Sequence, residues 1–191
     1  MRLFVAVELP PTLVESAASL SRVMKDRVNQ SAPRARVTWV APDRMHLTVR
    51  FIGDADAETA GRLVGAFAEP LATAAFEVAL GEAGVFLSRG KPQVVWVALH
   101  AAGEALQLLE DEVSDRLEHL GIPREKRPFR PHLTLGRVRD PAGLRVRGLT
   151  DGIAAPASAR GRVDAITLFE SRLSPKGPTY IALQRTPLRE P

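Results

Sequence analysis

Two short segments of this chain repeat one pattern, and this repeat constrains the fold more than any other feature. Residues 46–49 read His-Leu-Thr-Val, residues 132–135 read His-Leu-Thr-Leu, and an arginine stands two residues before each histidine. Side chains alternate between the two faces of a β-strand, so each segment places His and Thr on one face and aliphatic residues on the other. The repeat predicts two similar strands, each with a buried aliphatic face and a polar face.

Strict alternation also assigns arginines to these polar faces. It places Arg50 on the face of His46 and Thr48, and Arg130 on the face of His132 and Thr134. Phe51 falls on the opposite, aliphatic face of the first strand with Leu47 and Val49. In the second strand, alternation turns Arg137 away from Thr134 unless a β-bulge at Gly136 reverses it.

Hydrophobic periodicity predicts an α+β fold in which the strands cluster in pairs. Runs typical of strands cover 3–9, 37–40, 46–53, 76–86, 93–100, 132–138, 162–171 and 179–186. Helical spacing of apolar residues begins after Pro10–Pro11 and recurs over 56–68 and 103–120, whereas 140–156 is interrupted by Pro and Gly.

The two halves of the chain have related layouts, which suggests duplication. We therefore predict one bilobal domain over residues 1–191, with two mostly antiparallel sheets and outer helices facing each other across a central cleft. The lobes are interleaved by the motif strands 46–53 and 132–138.

Composition excludes several classes of function. The 191 residues include no cysteine, so disulfides, thiolate nucleophiles and cysteine-containing zinc sites are excluded. We expect no metal, because neither His-x-His nor His-Glu-x-x-His occurs, and no cofactor. No apolar stretch reaches the roughly 18 residues of a membrane span, and we expect a cytoplasmic monomer.

The charge distribution favours an anionic ligand. The formal net charge is +4, and the segment 124–147 carries eight Arg or Lys against two acidic residues. Such a cluster beside the second motif suits a phosphorylated ligand, although a solvated basic surface is the alternative that composition leaves open.

The paired histidines suggest acid–base chemistry at a phosphodiester. An imidazole titrates near neutral pH, so one histidine can accept a proton while a second, protonated one donates. Threonine hydroxyls and arginines can hold the non-bridging oxygens. A single strand histidine is more often structural, but core packing does not require the same polar pair on two strands.

These motifs resemble those of the two-histidine phosphoesterase superfamily, in its RNA 2′,3′-cyclic phosphodiesterase branch, historically called 2′-5′ RNA ligase. The similarity extends over nearly the whole chain through the segments MRLFVAVELP, TWVAPDRMHLTVRFIGD, GVFLSRGKPQVVWVAL, RPFRPHLTLGRV and LFESRLSPKGPTYIAL. Two features depart from the branch: Arg44 replaces a smaller polar residue, and 140–156 is rich in Pro and Gly where a helix is expected.

The resemblance implies metal-free, ATP-independent opening of an RNA 2′,3′-cyclic phosphate to a 2′-phosphate, with tRNA fragments among the candidate partners. It implies that His46 and His132 are catalytic and that Thr48 and Thr134 hold the phosphate. Arg130 is a candidate phosphate ligand, and further candidates are Arg50 and Arg137.

The expected mechanism is in-line attack by water, with His132 as base and His46 as acid; its reverse is weak 2′-5′ ligation. Two alternatives stay open: a non-catalytic protein that binds RNA ends, and a phosphodiesterase for a small nucleotide such as ADP-ribose cyclic phosphate.

Overall fold

Strands dominate the computed structural model, which describes residues 1–175 and 177–190. The strands are β1 (Arg2–Glu8), β2 (Arg36–Trp39), β3 (His46–Asp54), β4 (Leu71–Ala74), β5 (Phe76–Ser88), β6 (Lys91–Ala101), β7 (His132–Asp140), β8 (Arg160–Val163), β9 (Ala165–Ser174) and β10 (Gly177–Arg189). The α-helices are α1 (Pro11–Ser31), α2 (Ala57–Ala66), α3 (Ala105–Glu118) and α4 (Val146–Thr150), and a 3₁₀ turn covers Pro42–Arg44.

The sheet is continuous across the two motif strands. Its order is β4-β10-β9-β1-β3-β7-β6-β5-β8, with β2 also paired to β7, and β4 with β10 is the parallel pair. One residue pair, Leu47 with Leu133, connects β3 to β7. The predicted α+β fold with mostly antiparallel strands is confirmed. The two sheets that we expected are joined edge to edge at the motif strands.

The long helices cross between the halves of the sheet. α1 follows β1 in the chain but packs against β7 and β8, whereas α3 follows β6 but packs against β3 and β4. Pro11 at the first turn suits the start of α1, and the buried stripe of that helix includes Leu13, Ala17, Leu20 and Met24, as predicted. The crossing ties both halves into one hydrophobic core. No helix among the described residues has the length and apolar character to cross a membrane.

One strand prediction is wrong in detail, and one strand was not predicted. The run 162–171 is not one strand, because the chain passes at Asp164 from β8, paired with β5, to β9, paired with β1. The Asp164 carboxylate accepts a hydrogen bond from Arg185 at 2.9 Å, which holds this crossing in place. β4 was missed; its Leu-Ala-Thr-Ala sequence has little strand character, and its backbone N–H groups are held by the carboxylate of Glu112.

Candidate active site

The two motif histidines are anchored in the same way. In each, Nδ1 lies close to the carbonyl oxygen two residues earlier: 2.9 Å from Arg44 for His46 and 2.7 Å from Arg130 for His132. A carbonyl oxygen only accepts, so Nδ1 carries the hydrogen in both rings. Each Nε2 is therefore the nitrogen available to exchange a proton with a ligand.

Aromatic side chains hold both imidazole rings. Phe4 and Tyr180 contact His46, with ring centroids 5.0 and 5.1 Å away. Phe86 stands perpendicular to His132 at 4.9 Å. Together with the carbonyl bonds, these contacts leave each ring little rotational freedom, which is what positioned proton transfer requires.

The surroundings favour neutral imidazoles. Burial lowers the pKa of His46, and the positive charge of Arg137 and the neighbouring His132 lower it further, against the opposing bond to Arg44. Burial and then Arg137 likewise lower the pKa of His132, against the bond to Arg130. Both effects disfavour the imidazolium form in the unliganded protein, and a bound anion would act in the opposite direction.

The motif threonines face the same cleft as the histidines. Thr48 and Thr134 are half-buried, and both line a cavity of about 500 Å³ with His46. Thr48 also lines a second cavity beside His132. The predicted faces of these four residues are confirmed, since Leu47 and Leu133 on the opposite faces are fully buried.

Both motif strands bulge at the same place, the fourth residue of the motif. In β3, Thr48 pairs with Ala6 and Arg50 with Val5, so Val49 is the extra residue. In β7, Thr134 pairs with Trp96 and Gly136 with Val95, so Leu135 is the extra residue. A β-bulge exchanges the faces of the residues that follow it, up to the next irregularity in the strand. In β3 that next irregularity is at Ile52. The correspondence between the two motif strands therefore includes the bulges as well as the motifs.

The bulge in β7 turns Arg137 into the cleft. Its side chain lines the cavity that holds His46 and Thr134, and its charge reaches both catalytic candidates. Strict alternation is thus wrong for this residue, and the reversal that a bulge near Gly136 would produce is present.

The bulge in β3 has the opposite effect on Arg50. We expected this side chain beside Thr48, but it is 5% exposed on the core face, where its guanidinium donates to the carbonyl oxygen of Pro123. Phe51 takes the cleft-side position instead and is 49% exposed. The face predictions for Arg50 and Phe51 are wrong because the extra residue Val49 was not recognised.

Arg130 lies at the rim of the cleft. Its carbonyl oxygen anchors His132, and the exposed residue lines the cavities on both sides of that ring. The cavities at the two histidines are lined by six of the seven predicted site residues without qualification: His46, His132, Thr48, Thr134, Arg130 and Arg137. Arg50 also borders the cavity beside His132, but it is almost wholly buried and its guanidinium donates to Pro123.

Several residues at the site were missed from sequence. Four of them are aromatic residues whose rings contact the histidines: Phe4, Tyr180, Phe86 and Trp96. The other two are arginines that line the cavity beside His46: Arg44 and Arg139. Their separation in the chain gives no signal, although the aromatic residues occur in the segments MRLFVAVELP, GVFLSRGKPQVVWVAL and LFESRLSPKGPTYIAL that carry the family resemblance. Among the described residues, no three His, Asp or Glu side chains form a group suited to a metal ion.

Comparison with known proteins identifies the family of this chain. The sequence profile of the 2′-5′ RNA ligase superfamily matches residues 12–174. The chain belongs to this superfamily. A Thermus thermophilus relative named RNA 2′,3′-cyclic phosphodiesterase is 35% identical over 99% of this chain and 91% of its own length. A relative of the same name from Archaeoglobus fulgidus is 31% identical over 94% of this chain and 96% of its own.

Solved structures of the superfamily share the fold. A Thermus thermophilus protein superimposes with a TM-score of 0.79 at 30% identity, covering 100% of this chain and 99% of its own. Escherichia coli LigT in apo form superimposes with a TM-score of 0.75 at 25% identity, covering 99% and 98%.

Proposed function

We propose that this protein hydrolyses 2′,3′-cyclic phosphate ends of RNA to 2′-phosphates by means of the His46–His132 pair. One observation carries the proposal: two imidazoles with equivalent Nδ1 anchors and free Nε2 atoms line adjoining cavities that share Thr48, close enough for the charge of His132 to act on His46. General acid–base catalysis of phosphodiester cleavage needs two such groups, one on each side of the phosphorus.

The reaction proceeds by in-line attack of water on the cyclic phosphate. Nε2 of His132 accepts a proton as the oxygen of the water bonds to phosphorus. The bond from phosphorus to O3′ breaks, and Nε2–H of His46 protonates O3′. The products are a 3′-hydroxyl and a 2′-phosphate, and the histidines return to their starting states by exchanging one proton through solvent.

The other site residues bind the phosphate. The hydroxyls of Thr48 and Thr134 donate to the non-bridging oxygens, and Arg137 offsets the negative charge that develops there. Arg130, at the rim, contacts the substrate on the His132 side. Arg50 is left out of this set, because its guanidinium already donates to Pro123.

This mechanism requires no metal and no cofactor. The tasks that a metal performs in other phosphodiesterases, offsetting charge and activating water, are assigned here to Arg137 and to an imidazole. Their positions beside one another in the cleft support that assignment.

The relatives support the choice of substrate. Curated proteins between 26% and 35% identical to this chain are named RNA 2′,3′-cyclic phosphodiesterase. The proposal also covers the reverse reaction, ATP-independent joining of a cyclic phosphate end to a 5′-hydroxyl as a 2′-5′ linkage. We further propose that residues 1–191 act as a single bilobal domain, as a monomer in the cytoplasm, on RNA ends that include tRNA fragments.

A second candidate is a phosphodiesterase that acts on small cyclic nucleotides. The structural neighbour LigT, at 25% identity, was solved with NADP+ and with ATP, so a protein of this fold accepts small nucleotides. Comparing the rates on ADP-ribose cyclic phosphate and on a short RNA in one assay decides between the two.

The decisive test of the proposed reaction is product identity in the presence of EDTA. A short RNA ending in a 2′,3′-cyclic phosphate is incubated with the protein, and the product is compared with authentic 2′- and 3′-phosphate standards. We expect the 2′-phosphate alone. A 3′-phosphate product would contradict the roles proposed for the histidines, and binding without turnover would support a non-catalytic RNA-end protein.

A further inference from the structure

The cavities beside the two histidines differ in whether carboxylates accompany their arginines. Two of the cavities that meet at the motif strands are lined by residues of both charges. One has Glu110 and Glu125 together with Arg50, Arg127 and Arg130, and the other has Glu82 and Glu104 together with Arg130. The third cavity, on the His46 side, is lined by three arginines. Within the described residues its lining includes no Asp or Glu.

These three arginines are Arg44, Arg137 and Arg139, and no carboxylate of the described chain pairs with them. Arg44 donates to the carbonyl oxygen of Pro178 over 3.4 Å, and Arg139 donates to the hydroxyl of Thr38 over 3.3 Å. Elsewhere several arginines of this protein are paired, as when Arg124 contacts Asp111, Asp115 and Glu118. Three neighbouring cations without a counter-charge repel one another, so the cavity is suited to an anion.

The charge cluster extends outward from the reaction centre. Arg137 lines the cavity together with His46 and Thr134, and its charge lowers the pKa of both imidazoles. Arg44 points the other way, towards the β9–β10 hairpin. An added Cβ at Gly177 would lie 2.4 Å from its Nη1, so the guanidinium rests against a residue that has no side chain.

Tyr180 lines this cavity together with Arg137, on the side of the histidines, and Arg44, on the side of the β9–β10 hairpin. Burial raises the pKa of its hydroxyl, against the opposing charges of the two arginines. The hydroxyl makes no hydrogen bond to any described residue and is free to donate to a ligand oxygen.

We propose that Arg44 and Arg139, with the Tyr180 hydroxyl, form a second phosphate subsite, which binds the phosphate attached to O5′ of the ribose that carries the cyclic phosphate. This inference rests on the proposed function and specifies its substrate class. A cyclic phosphate occupies O2′ and O3′, so the remainder of an RNA strand leaves that ribose through O5′. A subsite for that phosphate makes the enzyme selective for strands, or for 5′-phosphorylated nucleotides, over a bare nucleoside cyclic phosphate.

Three substrates test this subsite: uridine 2′,3′-cyclic phosphate, its 5′-phosphorylated form, and the dinucleotide UpU ending in a cyclic phosphate. For the parent protein we expect kcat/KM on the dinucleotide to exceed that on the bare nucleoside at least tenfold. If kcat/KM on the 5′-phosphorylated form equals that on the dinucleotide, a terminal phosphate is sufficient for binding at the subsite. If it is lower, the subsite binds a phosphodiester in preference to a terminal phosphate. Added salt should weaken the dinucleotide preference, because the contacts are ionic.

Arg44→Gln and Arg139→Gln should each reduce the dinucleotide preference at least fivefold. This ratio is measured within one protein preparation, so a partly unfolded variant does not change it. Arg22→Gln removes the same charge from an exposed position on α1 and should keep the parent ratio.

Two results would overturn the subsite. One is equal kcat/KM on all three substrates for the parent protein, which leaves the proposed hydrolysis standing. The other is an equal fractional loss on every substrate in the Arg44 and Arg139 variants, which would place both residues at the reacting phosphate or in a structural role. Absence of turnover on all three substrates would overturn the proposed function, and the subsite with it.

Discussion

Leu47 and Leu133 pair across β3 and β7, and through this pair the two halves of the sheet are joined. Both side chains are fully buried. Each directly follows a motif histidine, so the register of this one pair fixes how the two imidazoles lie relative to each other. Packing in the core and geometry in the cleft are therefore set by neighbouring residues of the same strands.

The first prediction concerns this junction. Leu133→Ala should lower the free energy of unfolding by about 2–5 kcal/mol, because it leaves a cavity in the core where the two halves of the sheet are joined. Urea denaturation measures the change. Leu108→Ala removes the same atoms from an exposed position on α3 and should change stability by less than about 0.5 kcal/mol. A loss below about 1 kcal/mol for the Leu133 variant would show that the junction tolerates repacking.

The pH dependence of the reaction follows from the lowered pKa values of both histidines. One imidazole must be neutral and the other protonated, so kcat/KM should follow a bell whose maximum lies below the ordinary imidazole pKa of 6.5. As pH rises, kcat/KM first increases as the base loses its proton and then falls as the acid loses its own, and both limbs lie at lower pH than they would for two unperturbed imidazoles. A maximum at or above pH 6.5 in the measured profile would contradict the lowered pKa values.

Arg137→Gln should move both limbs of that bell to higher pH, because the removed charge helps to lower both pKa values. It should also reduce the maximum, because the phosphate loses a cationic partner. Arg145→Gln, with the same change of charge in the segment beyond β7, serves as the control. If the pH profile of kcat/KM is unchanged in the Arg137 variant, the charge of Arg137 does not lower the two histidine pKa values.

The threonine hydroxyls can be tested without changing shape. Thr48→Val and Thr134→Val keep the volume and the β-branch but remove the donor, and each should lower kcat roughly 10²-fold. Thr→Ser at the same positions keeps the hydroxyl and should retain most of the activity. Equal losses for the Val and Ser variants would point to packing of the methyl group instead of phosphate binding.

The bulge in β7 offers a structural test of how Arg137 reaches the cleft. At Gly136 an added Cβ would lie 2.9 Å from Cγ1 of Val37 and 3.0 Å from Cε3 of Trp39. Gly136→Ala should therefore destabilise the protein by about 1–3 kcal/mol and lower activity by displacing Arg137. Gly61→Ala, in α2 with no atom within 4 Å, should leave stability equal or raise it by up to about 1 kcal/mol. If Gly136→Ala leaves the free energy of unfolding unchanged, β2 can move aside to accommodate the added methyl group.

The sequence predicts the secondary structure and the central residues of this cleft because both depend on short-range patterns. Alternation identifies β3 and β7, and the repeated His-x-Thr identifies four side chains that share a cleft. What alternation misses are the bulges at Val49 and Leu135. An extra residue depends on how the neighbouring strand pairs, and this is why the faces of Arg50 and Phe51 were wrongly predicted.

Long-range contacts account for the remaining differences. Tyr180 reaches His46 because β10 is held beside β9, which pairs with β1. The split of 162–171 at Asp164 likewise reflects two different partner strands. Neither arrangement is encoded in a local pattern, and the charge cluster around Arg44 depends on the same tertiary placement.

The most direct test of the central claim is hydrolysis of a short RNA ending in a 2′,3′-cyclic phosphate, in EDTA, by the parent protein, His46→Ala and His132→Ala. We predict that the parent forms the 2′-phosphate and that each substitution lowers kcat by at least roughly 10²-fold while the variants still bind the RNA end. A single histidine variant that keeps near-parental turnover, or a parent that binds the RNA end without cleaving it, would contradict the acid–base pair.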